Sequence, residues 1–447
     1  MAVESMASFW TKHVSLTAIT FAATLLPACD SESPSLSKNE ANTGDVSEFE
    51  SPKLGTVGAK GPLLGALTDR APIYSAAHKK SPILGYLHAG DKLARSEESH
   101  ENDQCTEGWY AVYPRGYMCT EKSASINMDH PTLRTMALGA NLENLLPYTY
   151  ARTTKVTALF DKKDKKGVEL GGRLAKSTVM AIVGSWTAPD ESHEPQRLGL
   201  KMDGRFVRAN DLEAAQGSDF AGTPLSKELN LPLAYVVRRG VRAWAMDGAA
   251  AIKRGEIEFH ERLELTGRFR TVQGNRFWAS KDGRWVRHKD VTVLRKRHEF
   301  PEFATGEQKW IDVSIITGSA IAYEGQVPKY ATLVSVGRDR LGDPKSTAST
   351  ERGTFRVVRK QITRRGADSP DTPLHDAPWA LELENGDWMY ASPRHNRFGI
   401  EHTDGNIEVA PRDGQFLWNW ATPAVPQGWH GVVVEPASET TIVLVRK

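Results

Sequence analysis

Apolar positions along this chain of 447 residues come in short runs that Gly, Pro, Asp and Asn keep interrupting. Between residues 70 and 123 the pattern is represented by Ile83-Leu84-Gly85-Tyr86-Leu87. Short runs closed by turn residues predict short strands, and many of them in succession predict a small barrel or sandwich. The expected fold class is therefore mainly β, with tandem small barrels. One pattern recurs. Asp203-Gly204-Arg205-Phe206-Val207-Arg208 is followed by Asn210-Asp211-Leu212, and 79 residues later Asp282-Gly283-Arg284-Trp285-Val286-Arg287 is followed by Lys289-Asp290-Val291. An Asp-Gly turn leading into an alternating strand is good hairpin chemistry. The shared arginines could form a ligand stripe or only the solvated face of a strand. Asp161-Lys162-Lys163-Asp164-Lys165-Lys166 reads as an exposed turn.

One apolar run is of another kind. Val14 to Leu26 follows Lys12 and His13, is too short to span a bilayer and has the length of a signal-peptide core. It ends in Leu26-Pro27-Ala28-Cys29, and small residues before a cysteine resemble a bacterial lipobox, in which the cysteine is lipidated. Residues 1–28 are then a signal peptide, although an ordinary signal peptide followed by a chance cysteine leaves the same trace. The acidic and small residues that follow cannot bury enough apolar surface to fold, so 29–60 is expected to be a solvated tether. The protein is expected in the cell envelope, held to the membrane through Cys29 and facing the periplasm or the cell exterior.

Charge and cysteine content narrow the choice further. Lys and Arg number 57 against 55 Asp and Glu, a balance that argues against a dedicated nucleic-acid binder. With 40% hydrophobic residues the chain can form real cores. Of its 3 cysteines, Cys105 and Cys119 lie 14 positions apart around a hairpin-like segment. In an oxidising compartment they are most simply a disulfide, with two free thiols as the alternative. With Cys29 lipidated, no cysteine is then left as a nucleophile.

Further resemblances rest on particular segments. Arg70-Ala71-Pro72-Ile73-Tyr74, Leu87-His88-Ala89-Gly90-Asp91 and Gly108-Trp109-Tyr110-Ala111-Val112 resemble successive strands of a bacterial SH3-like domain, over 61–125. The repeat suggests two more such modules, at 150–215 and 233–297. From about residue 307 to 447 the chain resembles an L,D-transpeptidase (YkuD-type) catalytic domain. The similar segments are Lys309-Trp310-Ile311-Asp312-Val313, Tyr330 to Gly337, Gly353-Thr354-Phe355-Arg356-Val357, Asp376-Ala377-Pro378-Trp379, His395-Asn396-Arg397-Phe398-Gly399, Ala410-Pro411-Arg412-Asp413, Trp418-Asn419-Trp420 and Pro426 to Val432. Before Gly353 the proline of that family's turn is missing.

That resemblance implies a cysteine acyl-enzyme that cross-links peptidoglycan: a thiolate attacks, a histidine shifts its proton, and backbone N–H groups hold the oxyanion. Here the required residues are replaced. Tyr390 and Ala391 fall where the family has its first His-Gly pair. Thr403 keeps a hydroxyl position and Gly405 keeps the turn, while Asp404 stands for a histidine, Asn406 for the nucleophilic cysteine and Glu408 for the polar residue after it. An amide is no nucleophile at neutral pH. The resemblance therefore implies a non-catalytic binder of peptidoglycan stem peptides or of an envelope protein, without cofactor. Asp404 and Glu408 are expected at the cleft, changing its electrostatics. The alternative is an active envelope enzyme with another nucleophile, such as Thr403 paired with Asp404. His375, Asp376, His395, Glu401, His402 and Asp404 are close in sequence, but their spacing fits no common metal pattern, and no metal site is expected.

Overall fold

A computed structural model describes residues 49, 52, 54–163, 167–188, 196–367 and 373–447. The expected signal peptide, Cys29 and most of the expected tether lie outside the described residues, as does part of the lysine-rich turn after Asp161. The protein is mainly β, with barrel-like sheets and two α-helices among the described residues, Pro131–Thr135 and Pro411–Trp420. The last stretch of the expected tether touches the body. Phe49 stacks on His78 at 4.7 Å, and Tyr117 donates its hydroxyl to the Pro52 carbonyl at 3.0 Å.

The first folded segment has eight short strands from Leu63–Ala66 to Ala124–Ser125, paired antiparallel. Alternating apolar residues such as Leu64, Ile73, Leu87 and Val112 fill its core. Cys105 and Cys119 form a disulfide with Cα atoms 6.0 Å apart. This core is completed from far away by Trp429 and Val432. The strand Ile83–Leu87 pairs with Gly431–Val433, Gly85 opposite Val432. A Cβ on Gly85 would lie 2.4 Å from both the Gly431 carbonyl oxygen and the Trp429 ring, so only glycine allows that approach.

The two repeat copies are alike in structure. Each has a hairpin turn at Asp-Gly-Arg, with Gly204 at φ +80° and Gly283 at φ +87°. Each then has a short strand, Phe206–Arg208 or Trp285–Arg287, and a 3₁₀ turn, Ala209–Asp211 or His288–Asp290. The repeated arginines do not form a free stripe. Arg205 Nε donates to Asp203 Oδ2 at 2.9 Å and Arg284 Nε to Asp282 Oδ2 at 2.8 Å, so each arginine clamps its own turn. The aspartates that close the pattern, Asp211 and Asp290, are buried; Asp290 accepts from Arg287 Nε at 2.9 Å, and Lys155 reaches Asp211 at 2.8 Å.

The packing of the two copies differs. The second copy encloses its own core around Val236, Leu263, Trp278 and Val286. The first shares one continuous apolar core with the C-terminal region, in which Tyr150, Val179, Leu198 and Phe206 join Val313, Val357, Leu381, Met389 and Val443. Val179 also bridges to Leu374 across a parallel contact.

In the C-terminal region Lys309–Ser314 runs antiparallel to Ser319–Glu324 and parallel to Ile442–Arg446. The long strand Gly353–Ala367 pairs at one end with Ile442–Arg446 and along its length with Leu374–Leu383. Val327–Gly337 links Ser319–Glu324 to Glu401–Thr403 and Ile407–Val409. The helix Pro411–Trp420 begins with proline at its first position, where no N–H is needed. Its Gly414 lies against Ala391, where an added Cβ would come within 2.4 Å of the alanine methyl. Its carboxyl end is held by Lys360, whose Nζ donates to the carbonyls of Trp418 at 2.8 Å and Ala421 at 2.6 Å.

Candidate functional site

Two neighbouring strands bring the replaced positions together. Trp388–Ala391 runs parallel to Ile407–Val409, with Tyr390 opposite Glu408 and Ala391 opposite Val409. The chain reaches the second strand through a tight turn in which Gly405 takes φ +114°, the left-handed region that favours glycine. Asn406 sits at the turn's exit and its Oδ1 accepts the Trp388 N–H at 3.0 Å. Thr403 is buried and donates its hydroxyl to the Asn406 carbonyl. Asp404 forms an ion pair with Arg338.

Glu408 is the centre of the arrangement and is fully buried, so it does not face a cleft as expected from sequence. Its strand is covered on both faces: Ile407 and Val409 enter the apolar core, and the space around Glu408 is lined with donors. Tyr390 donates its hydroxyl to Oε1 at 2.9 Å. The Arg394 guanidinium reaches both oxygens, with Nε 3.3 Å from Oε2 and Nη2 on Oε1. His395 Nε2 lies 2.6 Å from Oε2, while its Nδ1 accepts the Arg397 N–H at 3.0 Å. The proton of that ring is therefore assigned to Nε2, facing the carboxylate. Ser335 Oγ donates to the Arg397 carbonyl at 2.6 Å and steadies the loop.

The electrostatics follow from these contacts. Burial alone would raise the Glu408 carboxyl, but the Arg394 charge and the His395 hydrogen bond outweigh it and hold the group well below the usual carboxylate range. The Tyr390 hydroxyl is pushed well above its ordinary value by burial and by the Glu408 charge. His402 packs edge-on to His395 at 4.7 Å; burial and that neighbour lower it to about 4. Arg397 Nη1 lies 3.3 Å from His402 Nδ1.

In this site the Glu408 carboxylate is balanced by the Arg394 guanidinium. A catalytic hydroxyl needs a base within hydrogen-bond reach. The Thr403 hydroxyl is spent on a backbone carbonyl, and Asp404 is engaged with Arg338. The other two cysteines lie outside this site, bonded to each other. Of the residues weighed as metal ligands, Asp376 is buried at a separate place, where its Oδ2 accepts the Ala181 N–H at 3.0 Å.

Arg394 was missed by the sequence reading, although Arg394-His395 directly after a strand and a proline is a visible basic pair. A second polar cluster was missed altogether, because three distant segments build it. His88 Nε2 lies 2.8 Å from the Asp69 carboxylate, and its Nδ1 lies 3.0 Å from the Ala89 carbonyl. Burial lowers His88, yet the two acceptors and Asp91 outweigh it and raise its pKa. Arg365 bridges Asp69 at 2.6 Å and Asp203 at 3.3 Å. His430, 2.8 Å from Thr363 Oγ1, is pushed down to about 3 by burial and by His88. The cluster ties the first folded segment and the first repeat copy to the C-terminal region.

Solved structures similar to this chain are L,D-transpeptidases. One from Xylanimonas cellulosilytica is 18% identical over 34% of this chain and 65% of its own, with a TM-score of 0.23. One from Stackebrandtia nassauensis is 13% identical over 34% of this chain and 62% of its own, with a TM-score of 0.24. One from Mycobacterium smegmatis is 15% identical over 50% of this chain and 88% of its own, with a TM-score of 0.24. The chain thus spans less than two-thirds of the length of the first two. No protein-family model and no curated protein matches it.

Proposed function

We propose that this protein is a cell-envelope lipoprotein whose C-terminal region is a degenerate L,D-transpeptidase-type domain, binding peptidoglycan stem peptides or an envelope protein without acyl transfer. The family reading rests on the sequence motifs from residue 307 onward. The non-catalytic reading is carried by one observation: two positions after the replaced cysteine, Glu408 is a buried carboxylate closed off by Tyr390, Arg394 and His395. Asn406 offers only an amide where the family reaction needs a thiolate. A threonine nucleophile is opposed by the Thr403 hydrogen bond to Asn406.

The test is a muropeptide assay on the native protein beside a Tyr390→His, Ala391→Gly, Asp404→His, Asn406→Cys variant, with products resolved by mass and stem-peptide binding measured in parallel. The native protein is expected to bind stem peptide or an envelope partner and to release no acyl product. Acyl transfer or hydrolysis by the native protein would overturn the reading.

A further inference from the structure

The balanced charge of the whole chain conceals a local excess. Residues 233–297 hold sixteen Lys and Arg against seven Asp and Glu. Part of it gathers where two ends of the second repeat copy meet, the turn between Val241–Asp247 and Ala250–Ile257 and the outer half of Arg262–Val272. Arg270 Nη1 donates to the Gly248 carbonyl at 3.2 Å and holds the two ends together. Ile252 lies opposite Ala245, and Phe269 lies opposite Trp278. Both therefore fall on the face that carries the core residues Ala243 and Trp278, but past the core, and are 37% and 52% exposed. Strand alternation puts exposed Arg254 on that same face, and exposed Lys253, Arg268 and Arg270 on the opposite face, which carries Trp244 and Phe277, so these ends present cations on both sides of the sheet. Glu256, the acid closest to Arg254 in sequence, is taken by Arg242 at 2.9 Å.

The aromatic rings here are not open platforms. A guanidinium already lies over Trp278 at 4.4 Å (Arg295), over Phe269 at 4.8 Å (Arg276) and over Trp244 at 5.3 Å (Arg287). Stacking of bases or sugars on those ring faces would have to displace a cation, which disfavours a nucleic acid or a glycan as occupant. What remains accessible at these two ends is apolar side chain on one face, with four cations on the two faces against one exposed acid, Asp247, in the turn. A bilayer with anionic headgroups complements both features at once, because apolar groups enter the headgroup–acyl boundary while Lys and Arg meet the phosphates. We propose that these two hairpin ends dock on an anionic lipid bilayer, with Ile252 and Phe269 entering the interface and Lys253, Arg254, Arg268 and Arg270 facing the headgroups. This contact is separate from the lipid expected on Cys29, and would orient a chain so anchored.

The experiment uses the full chain with Cys29→Ser and Ala250→Cys, so that the exposed turn carries the free thiol, labelled with a polarity-sensitive dye. Vesicles of phosphatidylcholine with phosphatidylglycerol should shift the dye to the blue; vesicles of phosphatidylcholine alone should not, even if the N-terminal apolar run holds the chain on them. High salt should reverse the shift. Arg254→Glu with Arg268→Glu replaces two cations by anions, and at roughly fivefold for each charge removed near an anionic surface should weaken the response by at least about twentyfold. Phe269→Ser should reduce the blue shift while leaving the salt dependence in place. No shift on chains that sediment with anionic vesicles would overturn the proposal. So would tight, salt-sensitive binding of soluble polyphosphate without a vesicle-induced shift, which would make the occupant a soluble polyanion.

Discussion

Replacing Glu408 by glutamine removes one charge and almost no volume, so it isolates the electrostatics of the buried cluster. The side chains of Glu408 and Arg394 are 0% and 4% exposed, and neither can turn to water. Glutamine can still accept from Tyr390 and from one guanidinium N–H. Its amide group, however, would present donors to His395 Nε2–H, and the ring cannot change tautomer without losing the Arg397 N–H at Nδ1. Breaking a buried pair by removing one partner typically costs about 3–5 kcal/mol, and a loss of about 3 kcal/mol is expected here. Urea unfolding followed by tryptophan fluorescence should show a lower midpoint with the slope unchanged. The pH dependence has a defined sign. Because the folded carboxyl is held below its unfolded value, the native state stays deprotonated where the unfolded chain takes up protons. Its stabilisation is complete above the ordinary glutamate range, near about 4.3, and declines as pH falls towards the folded value. Glu408→Gln should flatten that acid limb, and Glu408→Gln with Arg394→Met should recover part of the loss by removing the orphaned charge. A single-variant loss under about 1 kcal/mol, as for a typical exposed pair, would refute the reasoning.

Three further outcomes are expected. Asp413→Ala should destabilise the protein by about 2–4 kcal/mol and open 216–226 to limited proteolysis, because its carboxylate accepts from the Gly222 N–H at 2.6 Å, from the Tyr330 hydroxyl at 2.7 Å and from Thr332. Burial lowers Lys360 to about 7, so the unfolded chain binds more protons above that pH; this group's contribution should make stability rise from pH 7 towards 10, and a pH series on Lys360→Met should lose that slope. Cys105→Ser with Cys119→Ser should reduce stability by about 3 kcal/mol in the chain-entropy account, measured by urea unfolding beside the oxidised protein.

Much of the local structure was legible in the residues. Short apolar runs cut by turn residues foretold strands, and the repeated Asp-Gly-Arg motif foretold the same turn twice, because an Asp-Gly pair meets its backbone needs within a few residues. The disulfide followed from spacing around a hairpin. Gly405 was placed at a tight turn only through the family resemblance, and its φ of +114° agrees with that. What those turns and strands assemble into was not local. Glu408 reads in sequence as one more acidic residue near a cleft; it is a buried anion only because a parallel neighbour brings Tyr390 beside it and a loop returns Arg394 and His395. Equally, no pattern within residues 61–125 announces that Trp429 completes its core, or that Gly85 must be bare for Gly431 to pass. Secondary structure and turns answer to side chains a few positions apart, so the amino-acid order determines them nearly alone. Burial, charge balance and the sharing of cores depend on which surfaces meet across hundreds of residues, and only the tertiary structure decides that.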